Sequence, residues 1–109
     1  MRYVERVVVG ARSEQVVRAA LVAAARGVPV PLFTGGDLAL GIATAVPRHV
    51  VLLTDADART RRCRVYEPSA GTVHDLGAAS LLDGARTPDV LRALGGWPHV
   101  CWALLPTGR

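Results

Sequence analysis

"PRHVVLLTDADARTRRCRVYEPSAG", residues 47–71, contains two apolar runs around a polar centre. "HVVLLT" (49–54) and "CRVYE" (63–67) are rich in β-branched and aromatic residues, which suit a pleated, half-buried surface. "DADARTRR" (55–62) between them is polar, so the segment reads as an antiparallel hairpin. His49 opens the first run and Glu67 closes the second. If Thr54 pairs with Arg62, stepping away from the turn sets His49 opposite Glu67, on one face, with Cβ atoms ~5 Å apart. A slip of one residue would send the two side chains to opposite faces. A carboxylate at that distance can fix the imidazole tautomer and stabilise imidazolium, as the acid behind a catalytic histidine does. The plainer reading is a cross-strand polar pair that caps a strand mouth.

Outward from the hairpin, "YVERVVV" (3–9) reads as a strand. "SEQVVRAALVAAAR" (13–26) reads as a helix with Ser13 as N-cap, Val16, Val17, Ala20, Leu21 and Ala24 on one face, and Gly27 then Pro29 at its end. "VPVPLF" (28–33) is a strand whose Pro29 and Pro31 lack amide hydrogens on one side, which predicts an edge or irregular strand. "DLALGIATAV" (37–46) is open between a short helix and a covering loop. "TVHDL" (72–76) extends the meander, and "AASLLDG" is a candidate helical turn. "TPDVLRALGG" (87–96) is a helix with Thr87 as N-cap, Pro88 at its first position and Gly95 at its end. "HVCWALLP" (99–106) is the last strand. The sum is an α+β domain with an antiparallel sheet of about five or six strands and two or three helices packed on it.

With 109 residues, half of them hydrophobic, the chain is expected to form one domain over residues 1–109. No apolar run is long enough to span a bilayer. Glu5 and Arg6 interrupt the N-terminal stretch where a signal peptide needs an unbroken apolar segment, so a cytoplasmic location and no membrane partner are expected. Cys63 and Cys101 form no disulfide framework and are read as free thiols. The net charge is +4, and all 13 basic residues are Arg. That Arg usage blunts the one dense cluster, Arg59 to Arg64, which reads as a solvated hairpin tip; nucleic acid ranks last among partners.

Other groupings are weaker. Asp55 and Asp57 read as turn residues rather than cation ligands. Cys63, His74, His99 and Cys101 lack zinc-site spacing. The glycines of "LFTGGDLALG" lack the features of a phosphate or dinucleotide loop. Trp97 and Trp102 read as core or anchoring residues. No cofactor and no metal is expected.

Four pieces, in order, carry a resemblance: "RGVPVPLFTG", "PRHVVLLT", "VYEPSAG" and "GGWPHVCWALLP". From about Val16 to Pro106 the chain resembles the C-terminal half of papain-like cysteine peptidases of the bacteriocin-leader-processing type. The resemblance implies a papain-like half-domain with His49 as general base and Glu67 as its orienter, where the family usually carries Asp or Asn. Two departures go with it. Glu lengthens the acid arm by a methylene, and no Cys stands before residue 63, where the family's nucleophile helix would be. Cys63 and Cys101 read as buried, and Ser13 as a cap. The expectation is therefore a peptidase-related domain that keeps a His–acid pair but lacks its own nucleophile, inactive as an isolated chain. It would take a Cys from a missing segment or a partner, or act as a non-catalytic peptide-binding relative. The alternative is a small non-enzymatic interaction or dimerisation domain. A peptide, a protein or a second copy of the chain is left open as partner.

Overall fold

The computed structural model describes residues 2–8, 13–36 and 46–107. In chain order its elements are β1 (Arg2–Val7), α1 (Ser13–Ala25), β2 (Val30–Gly35), β3 (Pro47–Asp57), β4 (Arg62–Glu67), β5 (Thr72–Gly77), α2 (Ser80–Asp83), α3 (Pro88–Ala93) and β6 (His99–Thr107). Every strand pairing is antiparallel, and the six strands run β1-β6-β2-β3-β4-β5. Among the described residues this is an α+β fold, a six-stranded antiparallel sheet with three short helices. No helix among the described residues is long and apolar enough to cross a membrane. Residues 37–45 of the ambiguous "DLALGIATAV" segment lie outside the described residues.

Alternation along the strands divides the sheet into two faces. On β4, Cys63, Val65 and Glu67 are buried while Arg62, Arg64 and Tyr66 are exposed. Val51 and Leu53 of β3 and Leu32 of β2 point to the same buried side. There they join Val17, Ala20 and Ala24 of α1, Leu81 of α2 and Ala93 beside Leu94 in one core. All three helices therefore cover one face. α1 begins at Ser13, the residue from which the helix was expected to start. Thr87 caps α3 as expected, its hydroxyl accepting from the Val90 amide, with Pro88 at the first helical position.

Two expectations are corrected. β2 is not an edge strand, because it lies between β6 and β3, but it is irregular, as the other alternative had it, with register shifts beside Thr34 on both of its ladders. Its proline is tolerated because the ladder to β6 begins only at Leu32↔Ala103, one residue past Pro31. The hairpin register also differs. Thr54 does not face Arg62; the pairs are Asp57↔Arg62, Ala56↔Cys63 and Asp55↔Arg64, followed after a bulge by Leu53↔Val65 and Leu52↔Tyr66. Thr54 is the extra residue of that bulge. Cys63 therefore faces Ala56 rather than Leu53. Asp55 and Asp57 lie on β3, not in the turn, and only residues 58–61 connect the strands. Arg61 takes the left-handed conformation there, with φ 56°.

Candidate functional site

Extending the β3–β4 ladder by one step from Leu52↔Tyr66 places Glu67 against Val51. His49 is two residues further along β3, so it shares a face with Glu67 and lies diagonal to it. A diagonal pair has its Cα atoms ~7–8 Å apart, further than a directly opposed pair. The extra methylene of Glu spans that gap, and Glu67 Oε1 is hydrogen-bonded to His49 Nε2.

The carboxylate is almost wholly enclosed, with Glu67 2% exposed. The turn that follows it, Pro68-Ser69-Ala70, folds back over the group. The Ser69 hydroxyl lies 2.7 Å from each carboxylate oxygen, and the Ala70 amide donates to Oε2 at 2.8 Å. The Ser69 amide donates to Oε1 at 3.2 Å. Burial by itself would raise the carboxyl pKa. The Ser69 hydroxyl, then His49, then the Ala70 and Ser69 amides outweigh burial and hold it down to about 2. Glu67 is therefore an anion fixed in place by local bonds, with one oxygen aimed at a histidine.

His49 is held from two further sides. Thr34 pairs with it across the β2–β3 ladder. Thr34 is fully buried, and its hydroxyl donates to the Leu94 carbonyl at 2.8 Å, tying the end of α3 to the sheet. That tie brings Gly95 over the imidazole. A Cβ on Gly95 would come within 2.1 Å of His49 Cδ2, and Gly95 has φ +74°. Only glycine satisfies both the backbone angle and the close approach. The imidazole keeps one open side, with 22% of the side chain exposed.

Sequence reasoning named His49 and Glu67, and the structure brings them together. It missed Ser69, Thr34 and Gly95. Ser69 was visible only as part of a turn, and Gly95 only as a helix end. Thr34 carried a faint signal, as a hydroxyl closing an otherwise apolar strand.

No thiol reaches this cluster. Cys63 is four residues from Glu67 along β4, ~13 Å at strand rise. Burial, with the Asp75 charge adding to it, raises the Cys63 thiol to about 11. Cys101 follows Val100, which pairs with Thr34, so it lies about two strand spacings, ~10 Å, from His49. Its thiol is also raised by burial. His74 bonds the Thr72 hydroxyl, and His99 Nε2 is buried with no hydrogen-bond partner among the described residues. Asp55 faces Arg64, and Asp57 accepts from the Arg59 amide. No group of three potential metal ligands occurs among the described residues.

A cavity of about 620 Å3 opens on the sheet face away from the helices, between Phe33, Val50, Trp102 and Leu104, with Glu5 and Arg48 at its rims. His49 borders it through its place on β3, but its imidazole is engaged on the helix-covered face. The imidazole and the apolar cavity are therefore on different sides of the sheet.

No family model, curated protein or solved structure matches this chain.

Proposed function

We propose that the chain is a papain-like, peptidase-related domain in which His49 carries protons and Glu67 orients it, for acyl transfer to a thiol supplied by a missing segment or a partner. The observation that carries this reading is the enclosed Glu67 carboxylate, clamped by Ser69 and Ala70 and closed on Nε2 of a part-exposed histidine. A carboxylate needed only for packing could be replaced by an apolar side chain at no cost. Here four donors hold it ionised and aim it.

With Nε2–H given to Glu67, Nδ1 is the nitrogen left to accept a proton. The thiol proton passes to Nδ1 while sulfur bonds the acyl carbon. The imidazolium returns that proton to the leaving amine. Water then cleaves the thioester, with His49 taking its proton. Glu67 stays ionised throughout and stabilises the imidazolium. A second reading, a non-catalytic domain that binds a peptide or protein, is favoured by the burial of both of the chain's own thiols.

The test supplies the missing thiol. A small aliphatic thiol and a peptide p-nitrophenyl ester are mixed with the protein, and nitrophenol release is followed. Wild type should speed thiol-dependent release, His49→Ala should return it to background, and Glu67→Gln should lower it by about tenfold or more. A rate indifferent to His49→Ala refutes the catalytic reading and leaves the binding one.

A further inference from the structure

Among the described residues the helices cover one face of the sheet and no element covers the other, which is apolar from β1 to the middle of β3 and charged at the hairpin end, where Asp55, Asp57, Arg62, Arg64 and Asp75 lie. Pairing places Val7, Trp102, Phe33 and Val50 in one row across β1, β6, β2 and β3. The next row carries Glu5, Leu104, Leu52, Tyr66 and Val73. Of nine exposed large hydrophobic residues among the described ones, five (Tyr3, Val7, Val50, Tyr66 and Val73) project from this face. The patch crosses all six strands. That is too broad for a small ligand and of the kind that marks a protein interface. A half-covered antiparallel sheet normally shows polar residues on its open side.

The two charges that flank the apolar part of this face select the occupant. Glu5 and Arg48 stand at opposite rims of the cavity, with the edge-to-face pair Phe33–Trp102 between them, ring centroids 6.5 Å apart. Glu5 is one row to one side of the aromatic row and three strands from β3; Arg48 is one row to the other side, on β3. The offset is ~14 Å across the strands and ~13 Å along them. The midpoint between the two charges therefore falls on the aromatic pair. A two-fold axis lying in the face, through that midpoint and perpendicular to the Glu5–Arg48 line, sets each Glu5 over the Arg48 of a copy. Because the two offsets are nearly equal, that axis runs at about 45° to the strands. The two sheets then cross near 90°, one of the two favoured ways for sheets to pack.

We infer that this face binds a second copy of the chain, in an isologous, near-orthogonal sheet-on-sheet dimer centred on Phe33 and Trp102, with Glu5 and Arg48 paired across it. A two-fold interface must be self-complementary, and this pair of opposite charges placed symmetrically about an apolar centre meets that requirement. The interface leaves His49 and Glu67 on the far side of the sheet, so it stands or falls apart from the catalytic reading.

Sedimentation equilibrium on the full chain tests it. Wild type should be dimeric at ~10 µM, within the affinity range of interfaces of this kind. Val50→Arg, at a 38% exposed position, should be monomeric. Glu5→Arg and Arg48→Glu should each weaken association about tenfold or more, and the double charge swap should restore it to within about threefold. All three substitutions fall at exposed positions, and circular dichroism confirms that each variant is folded. A wild type that stays monomeric at ~100 µM, a level chosen well above interface affinities, overturns the inference and assigns the face to a different partner. A dimer indifferent to Val50→Arg overturns it, and so does failure of the double swap to rescue.

Discussion

Glu67→Gln keeps the shape of the side chain and removes the charge that four donors hold in place. The wild-type carboxyl is held down from 4.5 to about 2. At about 1.4 kcal/mol per pKa unit, that corresponds to at most ~3 kcal/mol of native-state stability at neutral pH. Ser69 and Ala70 are exposed, so water screens the cradle and a realistic value is ~1–2 kcal/mol. The sign follows from the depressed pKa. The contribution is complete above pH 4.5 and is lost as pH falls towards about 2, because the unfolded chain then binds a proton that the native state resists. Urea unfolding of both proteins at pH 7, 5, 4 and 3 measures this. The variant should be less stable by ~1–2 kcal/mol at pH 7 and 5, and the two curves should approach each other from pH 4 to pH 3. If burial instead dominated, the native carboxyl would resist ionisation, and wild type would gain on the variant as pH falls. A variant as stable as wild type at pH 7, or a gap that widens in acid, refutes the account of the cradle.

Other substitutions probe the neighbours. Gly95→Ala should displace the His49 ring and cost ~2–3 kcal/mol, whereas Gly96→Ala, whose Cβ meets nothing within 4 Å, should cost only the ~1 kcal/mol of its backbone angle; paired urea titrations compare them. Thr34→Val removes the bond to the Leu94 carbonyl, leaves that acceptor unsatisfied, and should cost ~1–3 kcal/mol by the same measurement. Cys63 and Cys101 are buried with raised pKa values, so iodoacetamide at pH 7.5 should label neither in the folded protein and both in urea, as read by mass spectrometry. Rapid labelling of either native thiol would mean that the chain does present a nucleophile.

Much of the architecture is legible in local patterns. Alternation marks β4 residue by residue, and Thr87-Pro88 marks the start of α3 through a hydroxyl acceptor and a missing amide. What is not legible depends on other strands. Pro31 argues for an edge only if both neighbours need its amide, and the β6 ladder starts one residue later. Ser69 reads as a turn residue because its second role, donating to Glu67, appears only when Pro68 turns the chain back over the carboxylate. Gly95 reads as a helix end, and its contact with His49 is forty-six positions away in sequence.

The pairing of His49 with Glu67 shows how a wrong register can still lead to the right neighbour. Face is decided by parity, and reach by distance. The assumed pairing, Thr54 with Arg62, and the observed pairing beyond the bulge differ by two residues, so both place His49 and Glu67 on one face. The pairing at the hairpin tip differs by an odd number. Continued without interruption from Asp55↔Arg64, it would set Glu67 against Leu52 and turn His49 to the opposite face. Thr54 absorbs that odd residue, its hydroxyl bonded to Asp55 and to the Arg64 carbonyl at 3.3 Å each. The two-residue difference then turns a direct pair into a diagonal one, beyond the comfortable reach of an aspartate. Glu at position 67 is thus the residue this register requires. The length of the acid side chain at position 67 and the bulge at Thr54 are two sides of one geometric arrangement.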